Sequence, residues 1–136
     1  MDIQLTSREF RLLLDLAYIG NWVLNSTRGE GDRFQEYDDL ESKLFGLCHG
    51  TALRALVERF DGIDYPSRAY TEGGIHDAIC YYEDNIFYEL LAEELSRRDM
   101  NYPDIGEENY SDLVDRMGRY MDEFERSGVD HLILDE

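Results

Sequence analysis

Basic residues are scarce in this chain: 13 Lys and Arg stand against 31 Asp and Glu, for a formal charge of −18. A phosphate backbone is gripped by Lys and Arg, and no basic block occurs, so direct binding of DNA or RNA is disfavoured, as is an anionic membrane surface. Such a chain attracts a cation, a basic protein face, or a protein site that normally holds nucleic acid. Cysteine is equally sparse. Cys48 and Cys80 stand far apart with no CxxC, which signals neither a zinc site nor a disulfide framework and leaves free thiols in a reducing compartment as the expectation. No apolar run approaches a membrane span, and the first residues, MDIQLTSREF, lack a basic leader, so a cytoplasmic protein is expected. There is no GxSxG, no glycine-rich phosphate loop and no Glu-x-x-His, which removes the usual signatures of hydrolase nucleophiles, nucleotide cradles and di-iron helices.

What is present is enough apolar matter to fold. Hydrophobic residues make up 43% of 136 residues and aromatics 12%, which exceeds the composition of an acidic disordered tail and fits one domain over residues 1–136. Only Pro66 and Pro103 interrupt the chain, and apolar residues recur at spacings of three and four, so the fold expected is mainly α, a bundle of four to five helices. Thr6 and Glu9 form a capping box that opens a first helix running to about Leu24. Its apolar residues, in two rows through Phe10, Leu14, Leu24 and through Leu12, Leu16, Val23, cover more than half the circumference, which predicts a central position. Asp32 and Gln35 repeat the capping spacing before a second helix that Gly50 ends or kinks. Leu53, Leu56, Val57 and Phe60 continue a helical stripe to Asp61-Gly62, and an aperiodic loop follows over residues 61–74. A third helix over residues 75–98 is expected to be the most enclosed. The fourth carries Tyr110, Leu113, Val114, Met117, Met121 and Phe124 on one face and ends at Gly128. The β-capable termini, MDIQLT and VDHLILDE, are expected to pair as a short two-stranded ribbon.

Two sets of residues suggest a site. On the first helix, Arg11, Asp15, Tyr18 and Trp22 share a narrow arc, an i,i+4 ion pair followed by an i,i+4 aromatic pair. Tyr18 and Trp22, together with Tyr65, Arg68 and Tyr70 of the aperiodic loop, mark an interaction surface. On the third helix, His76, Cys80 and Glu83 lie on one face at metal-ligand types and spacings, while Asp77 and Asp84 point elsewhere. The dipeptide His76-Asp77 resembles the pair of helical HD-type phosphohydrolases. Here, however, TEGG precedes it where that family places an apolar helical run, and the two side chains diverge. Glu36 and Asp39 give one ExxD spacing of the kind found in metal-dependent nucleotide pyrophosphatases, but such spacings arise freely among so many acids.

The function expected is therefore a non-enzymatic, acidic protein-interaction module without a cofactor, which binds a basic protein partner or associates with itself. The alternative is a hydrolase of phosphorylated or nucleotide substrates that uses a divalent metal at His76, Cys80 and Glu83.

Overall fold

The computed structural model describes residues 1–135. The chain is mainly helical, and no described helix is long and apolar enough to cross a membrane. It divides into two compact units, Met1–Ile79 and Cys80–Glu136, each taken by itself below.

The first unit is built on two helices and a hairpin. Helix α1, Ser7–Asn25, starts as its sequence predicts: the Thr6 side chain accepts from the Glu9 N–H at 3.1 Å, and the Glu9 carboxylate accepts from the Thr6 N–H at 2.7 Å. Helix α2, Gln35–Gly46, does not begin on Asp32. That residue lies in a separate 3₁₀ turn over Glu30–Asp32, and Phe34 holds the cap position. The cause is Asn25 at the end of α1. Its side chain accepts from the Phe34 N–H at 2.8 Å and donates to the Phe34 carbonyl at 3.2 Å, pairing with that backbone as a strand would.

The helical stripe expected through Leu53, Leu56, Val57 and Phe60 is corrected by the structure. Strands β1, Val57–Phe60, and β2, Ile63–Pro66, form an antiparallel hairpin in which Arg59 faces Asp64 and Phe60 faces Ile63. Asp61 and Gly62 both have positive φ, 55° and 78°, as a two-residue turn between twisted strands requires. The loop over residues 61–74 is thus structured. After β2 come a single turn α3, Arg68–Tyr70, capped by Ser67, and a wide π-type turn over Thr71–Ile75. That turn closes with Gly74 at φ 112°, a conformation glycine alone adopts without strain. Helix α4, His76–Asp99, follows, and the two units divide within it, after Ile79.

The core of the first unit gathers Leu14, Tyr18, Phe45, Cys48, Val57, Tyr70 and Ile79. Tyr70 is its hub, 1% exposed, edge-on to Phe45 at 4.9 Å and to Tyr18 at 5.3 Å between ring centroids. The Tyr70 hydroxyl donates to Asp15 at 2.8 Å, and Arg11 donates to the same carboxylate at 2.5 Å while covering the Tyr70 ring. The Arg11–Asp15 and Tyr18–Trp22 pairs therefore form as spaced, but they sit on the inward side of α1. The row expected to pack, Leu12, Leu16 and Val23, is exposed instead.

In the second unit α4 runs on to Asp99. It is not the enclosed helix its composition suggests: Tyr81, Tyr82, Phe87 and Leu90 are exposed, and only Ala92 and Ser96 of this part are buried. Its apolar residues are spread around the helix among acids, so no single face gathers them. Helix α5, Glu107–Ser127, buries Leu113 and Phe124, and Phe124 stacks with Tyr120 and lies tilted against Tyr88. Gly128, at φ 55°, ends α5 as expected. Among the described residues the terminal ribbon does not form. Residues 1–6 and 132–135 adopt no strand, and the two-stranded sheet is the hairpin; Glu136, the last residue of the proposed ribbon, lies outside the described residues.

Candidate functional site

A cleft of about 810 Å³ opens in the first unit between α1, α2 and the hairpin. Tyr18, Asn21, Trp22 and Ser26 line it from α1, Gln35, Asp38, Asp39, Glu41 and Ser42 from α2, and Gly62 to Tyr65 from the hairpin, with Arg33 at its edge. Three of the five residues expected at an interaction surface, Tyr18, Trp22 and Tyr65, meet here although they are distant in sequence. The other two do not. Tyr70 is a core residue, because its ring fills the space between Tyr18 and Phe45, and Arg68 is exposed outside the cleft, paired with Glu72 at 2.8 Å.

The floor of the cleft is a polar ladder. Asn25 donates to Asn21 at 2.7 Å, and Asn21 donates to Asp38 and to Glu41, each at 3.0 Å. Arg33 then closes on Asp38 with two hydrogen bonds of 2.8 Å. That pair, with help from Asn21, holds the Asp38 carboxyl below the usual carboxylate range. Glu41 behaves in the opposite way: burial raises its pKa, the Asn21 donor only partly offsets this, and the nearby Asp38 charge adds to the rise. The Tyr18 hydroxyl is pushed up by burial and by Glu41. At the hairpin side, Arg59 and His49 both bond Asp64, at 3.0 and 2.7 Å, and hold it down to about 2. Gly46 makes this approach possible, since a Cβ there would lie 2.6 Å from the Asp64 carboxylate.

Four carboxylates thus line the cleft against one guanidinium, and among the described residues Asp39 and Glu41 form no salt bridge, although Asp39 accepts from Gln35 at 3.0 Å and the Arg33 charge acts on Glu41. Trp22, the sole tryptophan, and Tyr65 offer partly exposed rings beside them. A wall of aromatic rings and carboxylates without salt bridges suits a delocalised cation, which gains roughly 0.5–2 kcal/mol over an aromatic face depending on desolvation.

The residues read as a metal set are placed differently. His76 lies in the first unit, where its Nε2 is hydrogen-bonded to the Tyr18 hydroxyl at 2.6 Å and its ring stands edge-on to Trp22 at 4.7 Å. Cys80 and Glu83 are exposed residues of the second unit. No cluster of three or more His, Cys, Asp or Glu side chains able to hold a metal occurs among the described residues. The other thiol, Cys48, is buried, which raises its pKa.

Sequence reasoning passes over Asn21, Asn25, Asp38 and Glu41. Their signal is nonetheless present: Asn21 and Asn25 are one helical turn apart and follow Tyr18 and Trp22, while Asp38 and Glu41 are at i,i+3 on the next helix. No known family model, curated protein or solved structure matches this chain.

Proposed function

We propose that this protein is a non-enzymatic binding module that captures a basic segment of a partner protein, seating an arginine side chain in the cleft between α1, α2 and the hairpin. The observation that carries this reading is the pairing of Asp39 and Glu41, without salt bridges among the described residues, with the exposed rings of Trp22 and Tyr65. The chain already contains a small version of the contact: Arg33 lies on Asp38 by a two-pronged bond, and Arg28 lies over the Phe34 ring at 3.9 Å. Arginine is favoured over lysine because its planar fork matches a carboxylate and an aromatic face at once. The net charge of −18 would speed encounter with a basic partner. Free thiols at Cys48 and Cys80 support a reducing, cytoplasmic setting for that encounter.

The test is a titration with an arginine-rich decapeptide, followed by Trp22 fluorescence and by calorimetry. Saturable binding that weakens with salt and drops at least several-fold in Asp39→Asn and Glu41→Gln is expected. An unsaturable titration, or equal affinity in the double variant, would remove the reading.

A further inference from the structure

The α1–α2 pair carries the acidic cleft on one side and, on the other, a shallow apolar groove of about 170 Å³ walled by Leu16, Gly20 and Leu24 of α1 and by Tyr37 and Leu40 of α2. Of the two, only the cleft has a cation of the chain's own in its wall, Arg33. Arg33 belongs to the segment that joins α1 to α2, and residues 26–33 of that segment are all exposed, so water was open to its charge. It turns back on Asp38 instead. Its Nε and Nη2 each donate at 2.8 Å to a different oxygen of that carboxylate, while Nη1 donates to the Asn25 carbonyl at 3.3 Å. This two-pronged arrangement is the one a carboxylate offers any guanidinium, so a seat for arginine in the cleft is already filled.

What holds Arg33 there is weaker than what holds the backbone beside it. Asn25 bonds both the N–H and the carbonyl of Phe34, at 2.8 and 3.2 Å, which fixes the chain next to Arg33, itself in unstrained extended backbone at φ −67° and ψ 143°. The ion pair, by contrast, reaches water. Its side chains are 35% and 23% exposed, and a pair open to solvent is readily exchanged for another of the same kind. The Arg33 side chain can therefore leave by rotation about its own bonds while α1, α2 and the Asn25–Phe34 contact stay in place. Arg28, the other arginine of the segment, is used differently: it donates to the Leu24 carbonyl at 2.8 Å, lies over the Phe34 ring at 3.9 Å and does not line the cleft. One segment thus carries an arginine that braces the chain and an arginine that occupies the site.

We infer that Arg33 is a built-in competitor for the cleft: its guanidinium holds the Asp38 seat in the free chain and yields it to an arginine of the partner segment, two bonds for two. This rests on the reading of the cleft as an arginine site and adds the regulation of that site. The free chain is competent only in the fraction of molecules whose Asp38 is vacant, and its affinity is lowered by that fraction. Any change that draws Arg33 away from Asp38 strengthens capture.

The arginine-rich decapeptide is titrated at fixed salt into the full-length wild type, Arg33→Gln, Arg33→Lys and Arg28→Gln, followed by Trp22 fluorescence. Arg33→Gln is expected to bind at least about threefold more tightly than the wild type, whereas Arg28→Gln, which removes the same charge from the same segment, stays within about twofold of it. Arg33→Lys keeps the charge and loses the fork; it should fall between the wild type and Arg33→Gln, and it answers the question should Arg33→Gln fail to fold. A double-mutant cycle separates competition from charge. Asp38→Asn should cost less affinity in the wild type, where it also removes the competitor's seat, than in Arg33→Gln, where Asp38 meets only the guest. Equal affinity of Arg33→Gln and the wild type, equal tightening in Arg28→Gln, or additive effects of the Asp38 and Arg33 changes would each overturn the competitor role. If the wild type binds and Arg33→Gln binds no better, the cleft still captures arginine and only the competitor is lost. If neither binds, both readings fall together.

Discussion

The two sides of the α1–α2 pair are made from the same two helices and have opposite chemistry. On the cleft side are Trp22, Asp38 and Asp39, on the groove side Leu16, Gly20 and Leu40, and between them stand Asn21 and Glu41, which reach both. A chain with so large an acidic excess keeps an apolar face by sorting its charges. It collects three of the four acids of α2, Asp38, Asp39 and Glu41, at a buried amide ladder, where Asn21 and Arg33 hold two of them, and Glu41 is the one acid that also lines the groove.

The largest perturbation is expected where both sides rest on common ground. Tyr70→Ala removes the ring between Tyr18 and Phe45 and strands the Arg11–Asp15 pair, so unfolding in urea should show a loss of about 3–5 kcal/mol, with cleft and groove lost together. Next is the ladder. Asn25→Ala leaves the Phe34 N–H and carbonyl without their partner and should cost about 1–3 kcal/mol by the same measurement, while Trp22 fluorescence shifts as α2 loosens from α1.

A third change separates the sides. Burial raises the Glu41 pKa, so the folded state is relieved of an ionised carboxylate as pH falls through that raised value, whereas a bound cation needs the carboxylate ionised. Peptide affinity should therefore decline with falling pH before the ordinary carboxylate range is reached, and Glu41→Gln should abolish that step with an unchanged or slightly raised melting temperature. Asp64 runs the other way. Its pKa is depressed from 3.8 to about 2, so its contribution is complete above the unfolded value and is lost as pH falls towards 2; near-UV dichroism should record the hairpin loosening in that window, and Asp64→Asn should remove the transition. The smallest effect on stability is expected from Leu16→Glu, within about 0.5 kcal/mol of the wild type, because the side chain is exposed.

Much of the fold is legible in the sequence, and what escapes it has specific causes. Thr6 with Glu9, Gly128, and the limits of α4 and α5 are local signals, decided by backbone groups within one helical turn, and they hold. The hairpin is masked because Leu53, Leu56, Val57 and Phe60 happen to fall at helical spacing; the stronger signal is Asp61-Gly62, whose two positive φ values suit a turn between strands better than the end of a helix. The rotation of α1 is hidden for another reason. With apolar residues over more than half its circumference, periodicity cannot choose an arc, and the choice falls to groups on other elements: Tyr70 for Asp15, Phe34 for Asn25, Asp38 and Glu41 for Asn21. The cleft is legible only in its aromatic half. Tyr18, Trp22 and Tyr65 stand out as large rings beside polar residues, whereas Asp38, Asp39 and Glu41 are indistinguishable among 31 acids until the fold selects them.

The unequal placement of the two thiols has a practical consequence. Cys48 is sealed in the core with a raised pKa, and Cys80 is exposed at the residue where the second unit begins, so a maleimide probe should attach at one position of the native chain without any engineered change. A fluorophore placed there would form a distance pair with the single indole of Trp22, and the unmodified sequence would thereby carry its own ruler from the cleft to the point where α4 passes from one unit into the next.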